Sequence, residues 1–242
     1  MLLIGKTAVV TGAGSGIGKA VALKFADEGA VLCLLGRTES SLLETAHEIE
    51  ARNGSCAVYR CDVTDAEQIA RTVGQIEEAY GRIDILVNNA GISREQPLMD
   101  MPVEVFDEIL TANLRSVMLM TKAVLPIMVA QGSGNIVNIG SGAALRGLPG
   151  STAYSASKAG VVALTQALGD EVRPYGLRVN VLCPGPVDTE LFRKSERRDF
   201  IIKAGGDLFD TETIANGVLF LASDLSKGMN SQTLVMRGFN RW

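Results

Sequence analysis

Short apolar runs alternate with amphipathic stretches almost from end to end, and this alternation restricts the fold more than any other feature of the chain. Runs at 7–10, 31–35, 57–61, 85–88, 135–139, 177–182 and 233–236 have the length and composition of strands. Between them the pattern reads as helices over about 16–28, 41–51, 64–81, 102–130, 152–173 and 213–222. Strands that are apolar throughout are buried on both faces, so the expected architecture is α/β, a parallel sheet covered by helices on both sides. Ser41-x-x-Glu44 and Thr64-x-x-Glu67 have capping-box spacing and place two helix starts. No Pro- or Ser-rich linker and no short repeat divides the chain, so residues 1–242 read as a single domain. The exception to the regular pattern is 188–210, irregular and charged, with Gly205-Gly206 inside it. It reads either as a segment that moves over a substrate site or as an ordinary surface loop.

Composition narrows the function classes. A chain of 242 residues with 47% hydrophobic content can bury a substantial core, and its net charge of −4, without like-charge runs, offers no basic footprint for nucleic acid or an anionic membrane. Its apolar stretches are interrupted before the roughly 20 residues that span a bilayer. The start, Met1 to Lys6, lacks the pattern of a signal peptide, which points to a cytoplasmic location. Cys33, Cys56, Cys61 and Cys183 have no Cys-x-x-Cys spacing and read as free thiols, with neither a metal site nor a disulfide framework expected. The one histidine, His47, falls on a polar helix face, so any proton chemistry must use other groups.

Thr11-Gly12-Ala13-Gly14-Ser15-Gly16-Ile17-Gly18 follows the first strand and opens the first helix. Glycines there permit a tight turn and close backbone approach, and a helix N-terminus stabilises pyrophosphate. The turn alone fits tight packing as well as ligand binding. As a dinucleotide site its contacts would be Gly12, Ser15, Gly16, Ile17 and Gly18. The second strand ends at Gly36-Arg37, where an NAD site commonly carries an acidic residue; Gly36 leaves space and Arg37 offers a fork for the 2′-phosphate of NADP. NADP(H) is therefore favoured over NAD(H). Asp62, beside Val63, either accepts from an adenine amino group or caps its own loop.

Tyr154 and Lys158 stand four residues apart and share one helix face, with Ser141 upstream. A neighbouring ammonium favours the phenolate and brings tyrosine's proton chemistry closer to neutral pH. Ser141 adds a donor for a substrate oxygen. Singly, each has a duller reading: a packed aromatic, a solvated lysine, a loop hydroxyl. Joined to a bound hydride carrier, they make an oxidoreductase.

At these residues the chain resembles the short-chain dehydrogenase/reductase family, in its compact branch of about 250 residues. The resemblance runs nearly end to end, through T-G-x-x-x-G-I-G at 11–18, Asp62-Val63, Asn88-Asn89-Ala90-Gly91, Asn113, Ser141, Tyr154-x-x-x-Lys158 and Pro184-Gly185-Pro186-Val187-Asp188-Thr189. It implies a doubly wound Rossmann fold with a seven-stranded parallel sheet, and a homotetramer or homodimer built through the helices carrying Asn113 and Tyr154. It implies Tyr154 as proton donor or acceptor, Lys158 on the nicotinamide ribose, lowering the tyrosine pKa, and Ser141 orienting the carbonyl. Asn113 would support a water-linked proton path behind the lysine. Asn89, Ala90 and Gly91 would line the cofactor near its ribose, and Gly185, Val187 and Thr189 would cover the carboxamide.

The chain departs from the family at 204–207 and in its last residues, Met236 to Trp242, where an acidic-Gly-Gly sequence is common. The overall look is similar to 3-oxoacyl-acyl-carrier-protein reductases and to sugar or polyol dehydrogenases. An acidic carrier protein calls for a basic patch; Arg173, Arg178, Arg193, Lys194, Arg197 and Arg198 are the candidates. Leu145, Leu148, Leu191 and Phe192 are candidates for an apolar pocket wall or for core. Two competing readings remain: a catalytically silent nucleotide sensor, opposed by the intact Ser141, Tyr154 and Lys158, and a sugar-nucleotide epimerase, opposed by the short chain.

Overall fold

The apolar runs pair as one seven-stranded sheet, β1 (Thr7–Thr11), β2 (Val31–Gly36), β3 (Ser55–Arg60), β4 (Ile85–Asn88), β5 (Gly134–Ile139), β6 (Leu177–Pro184) and β7 (Thr233–Met236), in the computed structural model, which describes residues 1–195, 197–203 and 208–238. All neighbours are parallel and the order is β3-β2-β1-β4-β5-β6-β7. The chain runs outward from β1 to β3, then returns to β4 and runs outward the other way. Strand order thus reverses between β1 and β4, where doubly wound sheets open a crevice at their C-terminal edge.

The side-chain period of two explains both apolar layers. Ala8, Val10, Leu32, Leu34, Ile85 and Val87 face α1 (Gly16–Asp27), α2 (Glu39–Glu50) and α9 (Thr211–Ala222). Val9, Cys33, Leu35, Leu86, Ile136 and Val179 face α3 (Ala66–Tyr80) and α5 (Ser116–Gln131). α6 (Thr152–Val172) closes the second face over β6 through Val161, packed with Val181 and Cys183. All four cysteines are free thiols, and His47 is exposed.

Four local expectations are corrected. α2 begins two residues before Ser41, with Thr38 as its N-cap, and the Ser41 hydroxyl donates back to Thr38 O (2.9 Å) instead of capping. α3 is capped by Asp65, one residue after Thr64, whose carboxylate accepts from Glu67 N, Gln68 N and Gln68 Nε2. The helix read as 102–130 is α4 (Val103–Leu110) and α5 joined by a π-turn, Thr111–Arg115. Together they run 29 residues, long and apolar enough by composition to cross a membrane, contrary to the reading of interrupted stretches; their buried face packs Ile109, Val117, Met120 and Val124 into the domain. The irregular 188–210 segment contains α7 (Glu190–Arg193) and α8 (Arg197–Lys203), while Gly205-Gly206, the rest of 204–207 and the tail 239–242 lie outside the described residues.

At the opposite edge of the sheet, buried Asp84 ties β1 to β4. It accepts from Thr7 N (2.9 Å) and from the Arg82 fork, with Lys6 at 3.5 Å. Burial pushes its carboxyl up, but Arg82, the Thr7 amide and Lys6 outweigh that and hold it below the usual carboxylate range. A depressed folded-state pKa contributes stability above the unfolded value, and that contribution is lost as pH falls through the folded one. Denaturant titration of Asp84→Ala is expected to show a loss of about 3 kcal/mol at pH 7, shrinking as both proteins are taken to acid pH.

Candidate active site

Four strand ends meet at the C-terminal edge of the sheet, and the turn after β1 is the tightest. Gly12 (φ +65°) and Gly16 (φ +53°) adopt left-handed backbone that other residues rarely take. A Cβ on Gly18 would lie 2.2 Å from Gly12 O and one on Gly14 2.3 Å from Ser41 Oγ. The turn therefore presses on the first turn of α1 and on α2 with backbone alone. Ser15 is the N-cap of α1, exposed, and its hydroxyl caps no amide; Ile17 is half-buried on the core side. This is the cradle a pyrophosphate requires: glycine backbone, a helix N-terminus and a spare hydroxyl.

Thr11 pins that turn to the chain after β4. Its Oγ1 accepts from Asn89 N (2.9 Å) and Ala90 N (3.1 Å). Asn89 Nδ2 in turn donates to Thr11 O (3.0 Å) and Gly12 O (3.3 Å). The Asn89 amide nitrogen is thus engaged in shaping the turn. Sequence reading missed the role of Thr11; a hydroxyl directly after the apolar run Ala8–Val10 and before the glycine turn was the signal.

Arg37 and Thr38 follow β2 at the rim, both exposed. Among the described residues Arg37 has no ion pair, so its guanidinium is open to a phosphate. Asp62 Oδ1 accepts from Thr64 N (2.9 Å) and Thr64 Oγ1 (2.8 Å), the loop-capping alternative; Val63 is buried.

The catalytic candidates converge from β5, α5 and α6. Ser141 follows β5 with its Oγ accepting from Ala143 N (3.1 Å). Tyr154 and Lys158 lie one turn apart on α6, the Lys158 Nζ 5.9 Å from the Tyr154 ring centre. Buried Lys158 donates to Ile139 O (2.8 Å). Asn113, fully buried in the π-turn, uses both ends of its amide: Oδ1 accepts from Ile92 N (2.7 Å), and Nδ2 donates to Ile92 O (2.9 Å) and Ser157 Oγ (3.1 Å). Ser157 passes the contact on by donating to Tyr154 O (2.7 Å). The asparagine side chain clamps the loop after β4 to α6; Ser157, another residue sequence reading passed over, is a small polar group on the buried face of α6. A Cβ on Gly91 would sit 2.9 Å from Asn113 Oδ1 and 3.7 Å from Lys158 Nζ, so only glycine lets this loop approach the lysine.

Burial raises the Tyr154 phenol, and the Ser141 hydroxyl draws it part of the way back. The lowering expected from Lys158 is not the governing effect on the phenol, which its own burial dominates; burial also pushes the lysine down to about 8. Beneath them lies the Cys183 thiol, raised by burial. The chain after β6 closes the far side: Gly185 N donates to Met236 O (2.7 Å), Val187 is buried and bridges to Phe209, and a Cβ on Gly16 would touch the Thr189 methyl at 3.4 Å. Thr189 thereby meets the glycine turn across the crevice.

Among the described residues, two of the basic candidates lie at the far end of the sheet and three sit in exposed ion pairs on or beside α7 and α8. Arg178, near the start of β6, is consumed by Ser226, Met229, Leu221 and Ser223, and Arg173 lies at the same opposite end of the sheet. Arg193 pairs with Asp188 and Lys194 with Glu190, Arg198 approaches Asp199, and the Arg197 side chain lies outside the described set. Leu145 and Leu191 are exposed, Leu148 and Phe192 half-buried.

A doubly wound parallel sheet with a glycine cradle at its switch point and a Tyr-Lys-Ser cluster at the same edge defines a nicotinamide-dependent oxidoreductase. Residues 6–199 match the family model for short chain dehydrogenase. The 3-oxoacyl-[acyl-carrier-protein] reductase of Thermotoga maritima is 38% identical over 98% of both chains. The solved structure of a 7α-hydroxysteroid dehydrogenase with NADH and 7-oxo glycochenodeoxycholic acid superposes with a TM-score of 0.95 at 30% identity, covering 99% of this chain and 95% of that one. A protein from Beutenbergia cavernae described as an NAD(P)-dependent gluconate 5-dehydrogenase, solved with NADP at low occupancy, gives 0.90 at 38% identity over 97% and 96% of the two chains. The chain belongs to the short-chain dehydrogenase/reductase family, and is an NAD(P)(H)-dependent enzyme acting on alcohol and carbonyl groups.

With Lys158 ionising near 8, the pH profile of kcat/KM for carbonyl reduction is expected to be level near neutrality and to fall above about pH 8. Lys158→Arg keeps the charge, and should move that alkaline limb upward while lowering the plateau.

Proposed function

We propose that this enzyme interconverts a small neutral ketone and a secondary alcohol with NADP(H), and that Tyr154 carries the proton. The observation that supports this most directly is the placement of Tyr154, Lys158 and Ser141 at the edge where the glycine turn opens. Bound nicotinamide would supply or accept the hydride. The Ser141 hydroxyl would orient the carbonyl oxygen, and Tyr154 would donate its proton as that oxygen gains charge. A phenol raised by burial starts protonated, which suits the reductive direction. Lys158, anchored to Ile139 O, would hold the ribose and place positive charge near the phenol. Gly12, Ser15, Gly16, Ile17 and Gly18 would cradle the pyrophosphate. Asn89, Ala90 and Gly91 would line the ribose, Asp62 and Val63 the adenine, and Gly185, Val187 and Thr189 the carboxamide.

The exposed, unpaired guanidinium of Arg37 supports NADP(H) over NAD(H). Paired or distant bases favour a free small molecule over a substrate carried on an acidic protein, and a 3-oxoacyl thioester detached from its carrier stays within that class. A sugar or polyol is the second reading, supported by the gluconate-enzyme relative. Exposed Met118 on α5 and the small exposed residues Ala156, Ala159 and Ala163 on α6 support a homotetramer or homodimer through these helices.

Tyr154→Phe is expected to keep NADPH binding, read by fluorescence titration, while turnover of a ketone panel drops at least about 100-fold. Retained turnover removes tyrosine from its role. Arg37→Ala should raise the KM for NADPH about tenfold or more and leave that for NADH nearly unchanged; equal effects on both cofactors overturn the 2′-phosphate assignment.

A further inference from the structure

The segment after β6 and the loop after β4 belong to distant parts of the chain, yet they touch beyond the catalytic cluster. Ser195, at the joint between α7 and α8, donates from its Oγ to Glu95 Oε1 across 100 positions, and both residues are half-buried. Each partner stands on a stretch that is fixed to the site at its other end. On the Glu95 side, Ile92 is held at both backbone atoms by Asn113, and Gln96 N donates to Gly150 O (2.7 Å), just before α6. On the Ser195 side, Thr189 rests against Gly16 and caps α7 by accepting from Phe192 N (3.2 Å), while Asp188 N donates to Phe209 O (2.8 Å). Nearby charges of this segment are paired within it at the surface: Arg193 is bidentate to Asp188, and Lys194 pairs with Glu190. Among the described residues, Ser195 is a point at which the segment reaches across, completing a ring of chain that runs from the glycine turn through 189–195, Glu95 and Gly150 to Tyr154.

We propose that Glu95 and Ser195 are positioning residues that latch the 188–195 segment to the loop after β4 and so set how tightly the substrate is enclosed. This rests on the carbonyl-reductase reading for its substrate, although the latch itself does not. Neither residue meets the reacting atoms in this role. The latch acts on the closed form, so losing it weakens substrate binding more than it slows the chemical step. Cofactor affinity, set at the glycine turn and Arg37, should change little.

The test is a double-mutant cycle on the full-length enzyme with Glu95→Ala, Ser195→Ala and the pair, together with Glu95→Gln, whose amide oxygen still accepts from the serine. Each alanine variant is expected to raise KM for the ketone about tenfold with kcat changed less than about twofold. The double variant should fall short of the product of the single effects, and Glu95→Gln should stay nearer wild type than Glu95→Ala. Unchanged KM, or effects of the two substitutions that multiply, overturns the latch. A second readout does not depend on turnover: amide hydrogen exchange across 188–203 with NADPH present should quicken in both alanine variants and not in Glu95→Gln. If the wild-type enzyme reduces no carbonyl in the panel but exchange follows this pattern, the latch stands and the substrate reading fails. If exchange is the same in all variants, the latch fails whatever the enzyme reduces.

Discussion

The active-site edge depends on backbone being allowed to lie directly against backbone, and side-chain amides and hydroxyls are what hold it there. Gly18 meets Gly12 O at a distance that admits no Cβ. Thr11 and Asn89 lash the same turn to the chain leaving β4, and Asn113 lashes the next stretch of that chain to α6 through Ser157. Buried amides and hydroxyls are expensive unless satisfied; the main donors and acceptors of this set are spent on one another or on backbone. The consequence is rigidity where a cofactor and a reacting carbonyl must be held in register. The catalytic groups are tied to that frame by contacts such as Ser141 to Ala143 and Lys158 to Ile139.

Electrostatics divides the cluster differently from the picture of a lysine acting on a tyrosine. Burial acts on both groups and disfavours the charged form of each. It raises the phenol and lowers the ammonium to about 8, so the two move apart and the lysine gives up its proton before the phenol does. A proton can then pass between substrate and phenol while the lysine stays a neighbour whose own charge depends on conditions.

Much of the architecture was legible because the strand runs are uniformly apolar and the glycine, tyrosine and lysine positions carry their chemistry in their spacing. Strand ranges and the sheet's two covered faces follow from that pattern, as Val9 and Val10 facing opposite layers illustrate. Helix starts were less legible. Ser41 and Thr64 each have the composition of a cap, but Thr38 and Asp65 take the position, since tertiary contacts at Gly14 and at Asp62 decide which hydroxyl is free. The role of Asn113 was legible only in part: spacing marks an odd polar residue in an apolar helix, but not that its amide closes on Ile92. The basic residues were legible only as a count, which does not reveal that Arg178 is enclosed by carbonyls or that Arg193 already has Asp188.

The π-turn at Thr111–Arg115 has a further meaning for the long helix that contains it. Ser116 N reaches back to Thr111 O, so this turn holds one residue more than its neighbours. An extra residue in an α-helix offsets everything on one side by about 100° around the axis. α4 and α5 are therefore two helices out of phase on one rod, each free to aim its apolar stripe at a different neighbour. Removing a single residue from 111–115 would bring them back into phase and swing buried Ile109 around the axis relative to α5. The insertion behaves as a gear tooth, setting the angle between what the lower helix buries and what the upper helix presents.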